Sequence, residues 1–295
     1  GAFGGQTSVR LRGAASEQTL VLVDGVPVND GASPGGGFDF ARLDPAQIER
    51  IEVLRGPQST FWGTDAIGGV VSITTRRPEA GRGGSVFVEG GSFSTFRAGA
   101  AVEAAGDAGD LRLGVSGLST DGISKADEDN GNPESDGYEG LSVSGRGGLN
   151  LPGGARLDAS LLYTDAEADF DRFAAGAQGS VGDGDDQALS EEYAGTVSLH
   201  VPTLDGRLEH LLLAGRTELE RESLADGASA FSAEAERNVL RYQGTFRAGD
   251  ASRLAVGAER EEVEAFEDGI AIEGLFALLE AKPTRGLTLS AGVRR

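Results

Sequence analysis

Acidic side chains are the densest chemical resource of this 295-residue chain. Residues 165–186 carry Asp165, Glu167, Asp169, Asp171, Asp183, Asp185 and Asp186, opposed only by Arg172. Carboxylates at alternating spacing on a glycine-rich segment suit a hard, oxygen-seeking cation such as calcium. Asp165, Asp169, Asp171, Asp183 and Asp185 are the candidate ligands, although their spacing is not that of an EF-hand. The competing reading is a solvated, self-repelling loop. A second acidic stretch, with Asp127, Glu128, Asp129, Glu134 and Asp136, shows that such loops recur here.

Phe61 and the sole tryptophan, Trp62, are adjacent in a polar link, residues 58–65. Held out to solvent, with Thr60 and Thr64 beside them, they would offer a platform to a large flat ligand. The other reading packs one ring into a core. His200 and His210 have no obvious third ligand nearby, so two metal-free histidines are expected. No G-x-S-x-G elbow is present, and the GGG at 35–37 lacks the Lys-Ser/Thr of a phosphate loop. No catalytic residue is assigned, and the chain is not expected to be an enzyme.

The elements that position these residues read as β. Gly is abundant (47) and Pro scarce (9), which suits strands joined by tight turns. There is no cysteine, so disulfide and thiol chemistry are excluded. A net charge of −21 argues against nucleic acid, which needs a basic face. No apolar run of about 18 residues exists, so no transmembrane helix is expected. A transmembrane barrel stays open, because its strands alternate and average out as polar.

Residues 48–75 organise the chain. Ile48, Ile51, Val53 and Leu54 fall around Glu49, Arg50 and Glu52 as a half-buried strand. Gly56-Pro57 ends it. After the 58–65 link, Gly68-Gly69 opens a β-branched strand at 70–75. Upstream, residues 9–13 read as a short strand, and 19–28 as a strand apolar on both faces. Asp24-Gly25 is a hairpin signal within it. Residues 29–40 are a loop by composition. Asp44 and Pro45 read as the cap and first position of a one-turn helix.

The string IERIEVLRGPQSTFWGTDAIGGVVSITT, preceded by TLVLVDGVPVND, resembles the plug domain of TonB-dependent outer-membrane receptors. Within that family the nearest likeness is to the vitamin B12 receptor branch. The resemblance implies that the 29–40 loop, with Asp30 and Ser33, rises to the outer face and touches ligand; otherwise it is an ordinary connection. It implies a corrin or an iron chelate for the Phe61–Trp62 platform. It implies calcium-ordered loops. It also implies that plug arginines, Arg50 and Arg55, latch onto barrel-wall glutamates, against the local alternative of Glu49 or Glu52.

From about residue 83 the pattern becomes strict alternation in segments of about ten residues. Leu141, Val143 and Leu149 alternate with Ser142, Ser144 and Arg146; Leu240 and Tyr242 alternate with Arg241 and Gln243. Short turns at 106–110, 150–154, 202–206, 248–251 and 282–286 are interleaved with long links at 120–139, 165–190 and 220–235. Outer-membrane barrels sort their loops this way, and sandwiches have no reason to.

The expected fold is therefore mainly β: residues 1–82 form the C-terminal part of an α+β plug. Residues 83–295 form about eleven strands, half of a roughly 22-stranded antiparallel transmembrane barrel. The chain reads as an internal fragment truncated at both ends, lacking the upstream segment that meets TonB. The expected function is energised uptake of a large scarce nutrient, a corrinoid or ferric siderophore, across the outer membrane of a Gram-negative bacterium. The expected partners are TonB, that ligand and outer-membrane lipid, with no cofactor beyond the calcium candidate. The alternative is a passive porin-like or adhesin barrel; a secreted hydrolase is more distant.

Overall fold

The computed structural model describes residues 4–33, 36–124, 134–173, 181–182, 184–249, 251–266, 268–284 and 286–295. An inner four-stranded sheet has the order β2-β1-β4-β3. Its strands are β1 (Thr19–Val23), β2 (Val26–Pro27), β3 (Ile48–Arg55) and β4 (Gly69–Thr75). β1 is buried along its whole length and runs parallel to β4, with Val21 opposite Val71. That explains a strand apolar on both faces. One face packs Val21, Val23, Val71 and Ile73 against Phe38; the other packs Leu20, Leu22, Val70 and Ala66 against Trp62.

The β1–β2 turn is Asp24-Gly25, with φ of 47° and 94°, the left-handed pair that a two-residue hairpin requires. Asp44 caps a single 3₁₀ turn, Pro45–Gln47, by accepting the Ala46 N–H at 2.8 Å. The 58–65 link contains a four-residue helix, α1 (Ser59–Trp62).

Two inner segments depart from expectation. Residues 9–13 are a turn rather than a strand: Arg12 and Gly13 have positive φ, and the Ala14 N–H bonds to the Leu11 carbonyl. β3 pairs only with β4, and seven of its eight residues are exposed in this chain.

The wall is an eleven-stranded sheet in which sequence neighbours pair antiparallel. It comprises β5 (Gly81–Gly90), β6 (Phe96–Gly106), β7 (Gly109–Ile123), β8 (Asp136–Asn150) and β9 (Arg156–Asp169). A two-stranded ribbon, β10 (Arg172–Phe173) and β11 (Val181–Gly182), lies in the following link. The wall resumes with β12 (Asp186–Thr203), β13 (Leu208–Ala225), β14 (Ala228–Ala248), β15 (Ser252–Ala265), β16 (Asp268–Thr284) and β17 (Leu287–Arg294).

The wall is inverted relative to a soluble sheet. Val86, Val102 and Val293 face outward, 62–79% exposed, whereas Arg112, Ser116, Arg237 and Arg241 are buried on the inner face. Apolar-out, polar-in alternation is the pattern of a barrel wall in lipid. The segment 220–235 is not a long loop. β13 and β14 run on to a two-residue turn at 226–227, so β14 reaches 21 residues, well beyond the roughly ten that cross a bilayer. Its charged residues belong to a ribbon that extends the wall.

Candidate functional site

The residues that could act mechanically lie where the inner sheet meets the wall. Buried charges must be paired, and here the inner sheet supplies mainly carboxylates and the wall mainly arginines. Asp24 receives Arg146 of β8, and also the Thr75 N–H (3.1 Å) and hydroxyl (2.6 Å). Arg146 donates in addition to the Thr75 carbonyl at 3.1 Å. Asp44 receives Arg97 of β6 and the Ser116 hydroxyl of β7. Gln47 donates to Ser116 at 2.6 Å and accepts from Ser144 at 2.5 Å. Asp30 pairs with Arg221 of β13 at 3.0 Å. One pair has the opposite polarity: Arg42 meets Glu192 of β12, with Asp39 at 3.5 Å. Burial opposes the charge on Arg42, and Glu192 with Asp39 outweighs it, holding its pKa above the ordinary value.

The 58–65 link is clasped from the wall side. The Phe61 carbonyl accepts from Arg241 (3.0 Å) and Arg294 (3.2 Å), both of which pair with Glu259. The Arg241 guanidinium lies 4.5 Å from the Phe61 ring centroid and 4.2 Å from that of Trp62. Phe61 also meets Phe276 edge-on at 5.0 Å. The two rings are thus packed rather than presented as an exposed platform. Thr60 packs at Gly292, and the Thr64 hydroxyl lies 3.1 Å from Asp65. Ser33 is half-buried and its carbonyl takes the Gly36 N–H.

Both loops with candidate ligand contacts touch β14, at different heights. Arg237 binds the Asn29 carbonyl at 3.1 Å, and Arg241 binds that of Phe61. Four residues of strand separate them by about 13 Å. The structure therefore splits Asp30 and Ser33 from Thr60, Phe61, Trp62 and Thr64.

Arg50 sits 3.2 Å from Glu52, the local alternative, with both side chains over half exposed. Arg55 is exposed and makes no ion pair among the described residues. The ties from plug to wall come instead from Asp24, Asp30, Arg42 and Asp44, none of which was expected as a latch, meeting Arg146, Arg221, Glu192 and Arg97. Their signal was the presence of arginine at inward positions of alternating strands.

The acidic segment is dispersed. Asp165 stands opposite Leu141 and Glu191 on the wall. Asp169 accepts the Gly137 N–H and the Gln187 amide, each at 3.2 Å. Asp171 and Asp185 lie in the link after β9, and Asp183 falls outside the described residues. Among the described residues no group of three or more His, Asp or Glu side chains gathers to hold a metal. His200 lines the inner side, whereas His210 bonds the Tyr242 hydroxyl at 2.9 Å on the outer side, so the two do not share a site.

Comparison with known proteins accords with this architecture. The family described as TonB-dependent Receptor Plug Domain matches residues 1–70. The vitamin B12 transporter BtuB of Photobacterium profundum is 27% identical over 261 residues, 88% of this chain and 41% of that protein. An iron-regulated outer membrane virulence protein of Vibrio cholerae is 46% identical over 88 residues, 28% of this chain and 14% of that protein. The crystal structure of the siderophore receptor PirA from Pseudomonas aeruginosa superposes with a TM-score of 0.70 at 22% identity. It covers 96% of this chain and 48% of that one. The chain spans about half the length, or less, of the proteins it matches. The inner sheet thus matches the plug of TonB-dependent receptors over residues 1–70, and the chain as a whole shares the plug-and-wall fold of the solved siderophore receptor.

Proposed function

We propose that the full-length protein is an energised uptake receptor of the Gram-negative outer membrane, driven through TonB and specific for a large scarce nutrient. The observation that carries this reading is a plug pinned to the inner face of the wall by partly buried ion pairs on β6, β8, β12 and β13. A passive pore gains nothing from such an obstruction; a receptor needs it to hold the path shut until work is done. The apolar outer face of the wall fits lipid as its surroundings. The relatives carry transport and receptor names, and catalysis has no support in the chain.

A corrinoid is the favoured ligand, because the relative named as a vitamin B12 transporter aligns along 88% of the chain, plug and wall together. A ferric siderophore is the second reading, supported by the 46% identity to an iron-regulated protein over 88 residues. Calcium held by Asp165, Asp169, Asp171, Asp183 and Asp185 belongs to the corrinoid reading, and rests on their acidic composition alone.

The test is a binding titration on the full-length receptor in detergent, with cyanocobalamin against a panel of ferric siderophores, with calcium and with chelator. Tight corrinoid binding that weakens on chelation supports the corrinoid and calcium readings together. Siderophore binding indifferent to calcium removes both and leaves an uptake receptor.

A further inference from the structure

Two cavities lie between the plug and strands β12, β13 and β14. The larger, about 510 Å³, is on the short-turn side and reaches Ser198, Leu213 and Arg241. The smaller, about 50 Å³, is on the opposite side and reaches Ala194, Thr217 and Arg237. Inward residues occupy every second position of a strand. Only Thr196, Gly215 and Val239 therefore stand between the cavities, one residue on each strand.

Val26, from the short strand β2, fills this ring. It is completely buried and clusters with Leu213 and Val239. Gly215 supplies the notch: a Cβ built there would stand only 3.2 Å from the Val26 Cβ, in space the valine side chain occupies. On either side the walls are charged, with Asp30, Glu192 and Arg221 in one cavity and Arg146, Asp158 and Arg241 in the other. The ring itself carries no charge: Val26 and Val239 are apolar, and the Thr196 hydroxyl is engaged by Ser160 at 2.7 Å, so the constriction opposes passage of water and ions between the polar cavities.

The tip of the β1–β2 hairpin is latched: the Asp24 N–H bonds the Ile73 carbonyl at 2.9 Å, and the Asp24 carboxylate holds Thr75 and Arg146. β2 pairs with β1 at Leu22–Pro27 and Val23–Val26, and the Val28 N–H adds a bond to the Val21 carbonyl at 3.0 Å. β1, by contrast, is held along all five residues by β4.

We infer that the β1–β2 hairpin is the bolt of the transport path: the path follows β12–β14, and Val26 seated on Gly215 is its seal. This rests on the uptake reading above. Withdrawal of the 24–27 tip by about one residue's rise, roughly 3 Å, breaks the Asp24 ties to Thr75 and Arg146 and joins the two cavities while β1 stays paired with β4.

The chain has no cysteine, so a reversible lock can be built without background. Val26→Cys with Gly215→Cys brings two Cβ positions near the roughly 3.5–4.5 Å that a disulfide spans. The full-length receptor carrying this pair should lose energised uptake about tenfold or more on oxidation, recover it on reduction, and bind nutrient equally in both forms. The control lock, Thr60→Cys with Gly292→Cys, fastens the 58–65 link to β17 and should leave uptake in place. Loss with both locks means that the whole plug moves and overturns the inference. Loss with neither, or with the control alone, also overturns it.

A receptor without energised uptake even when reduced would sink the uptake reading instead. The seal is then read separately. Val26→Gly with Leu213→Ala in planar bilayers should raise potassium conductance about tenfold over the unaltered receptor, and unchanged conductance overturns the seal.

Discussion

Asp24 and Arg146 form an ion pair across the plug–wall boundary, with side chains only 4% and 11% exposed. Asp24 occupies a left-handed turn position, and its carboxylate also holds both polar groups of Thr75. One side chain thus joins the hairpin, β4 and β8. Asp24→Asn keeps the turn, since Asn tolerates that backbone, but leaves Arg146 buried without its counter-charge. The expected cost is about 3–5 kcal/mol. Combining Asp24→Asn with Arg146→Met removes both charges and should recover most of that loss. Urea unfolding followed by limited proteolysis of the plug measures each variant; simple addition of the two single costs would show that the residues are not coupled.

Arg241 and Phe61 form the second tie. Arg241 lies over Phe61 and Trp62 while donating to the Phe61 carbonyl and pairing with Glu259. Lysine keeps the charge but has neither the planar face for two rings nor the fork for two acceptors. Arg241→Lys should weaken the seating of the 58–65 link by about 1–2 kcal/mol. The readout is faster proteolytic cleavage within 58–65, with cleavage in the β1–β4 core unchanged. Equal rates in the variant and the parent would mean that Arg294 alone holds the link.

The wall was legible because a strand with an apolar outer face and a plug on its inner face must alternate, and Leu141, Ser142, Val143, Ser144 and Arg146 record that directly. Asp24-Gly25 and Asp44-Pro45 were legible because a turn and a cap are decided by neighbouring residues. The pairings that define the site were not. Arg146 is 122 positions from Asp24, and Arg241 is 180 from Phe61; alternation shows that each arginine points inward but not which plug group it meets. Residues 220–235 read as a long link by loop sorting, but β13 and β14 continue past the apolar band as a ribbon, where charge is tolerated. The Phe61–Trp62 pair looked like a platform because a polar link usually faces solvent, and nothing local announced the arginine that covers it.

The inside–outside assignment can be tested on one strand. Leu240 and Gln243 lie three residues apart on β14 and face opposite sides: Leu240 is 58% exposed on the outer face, and Gln243 lines the larger cavity. Leu240→Arg places a cation against the acyl chains and should cost about 2–4 kcal/mol if the site lies near the bilayer midplane. Gln243→Glu adds a charge too, but it enters a cavity that holds Arg77, Arg146 and Arg241, so it should be close to neutral. Folding of the full-length receptor into lipid vesicles, titrated with urea and read from the compact band on unheated gels, compares the two. Equal costs would mean that the two faces of β14 see the same medium, and the wall would not be a lipid-facing barrel. A large cost at Gln243 alone would reverse the assignment of the faces.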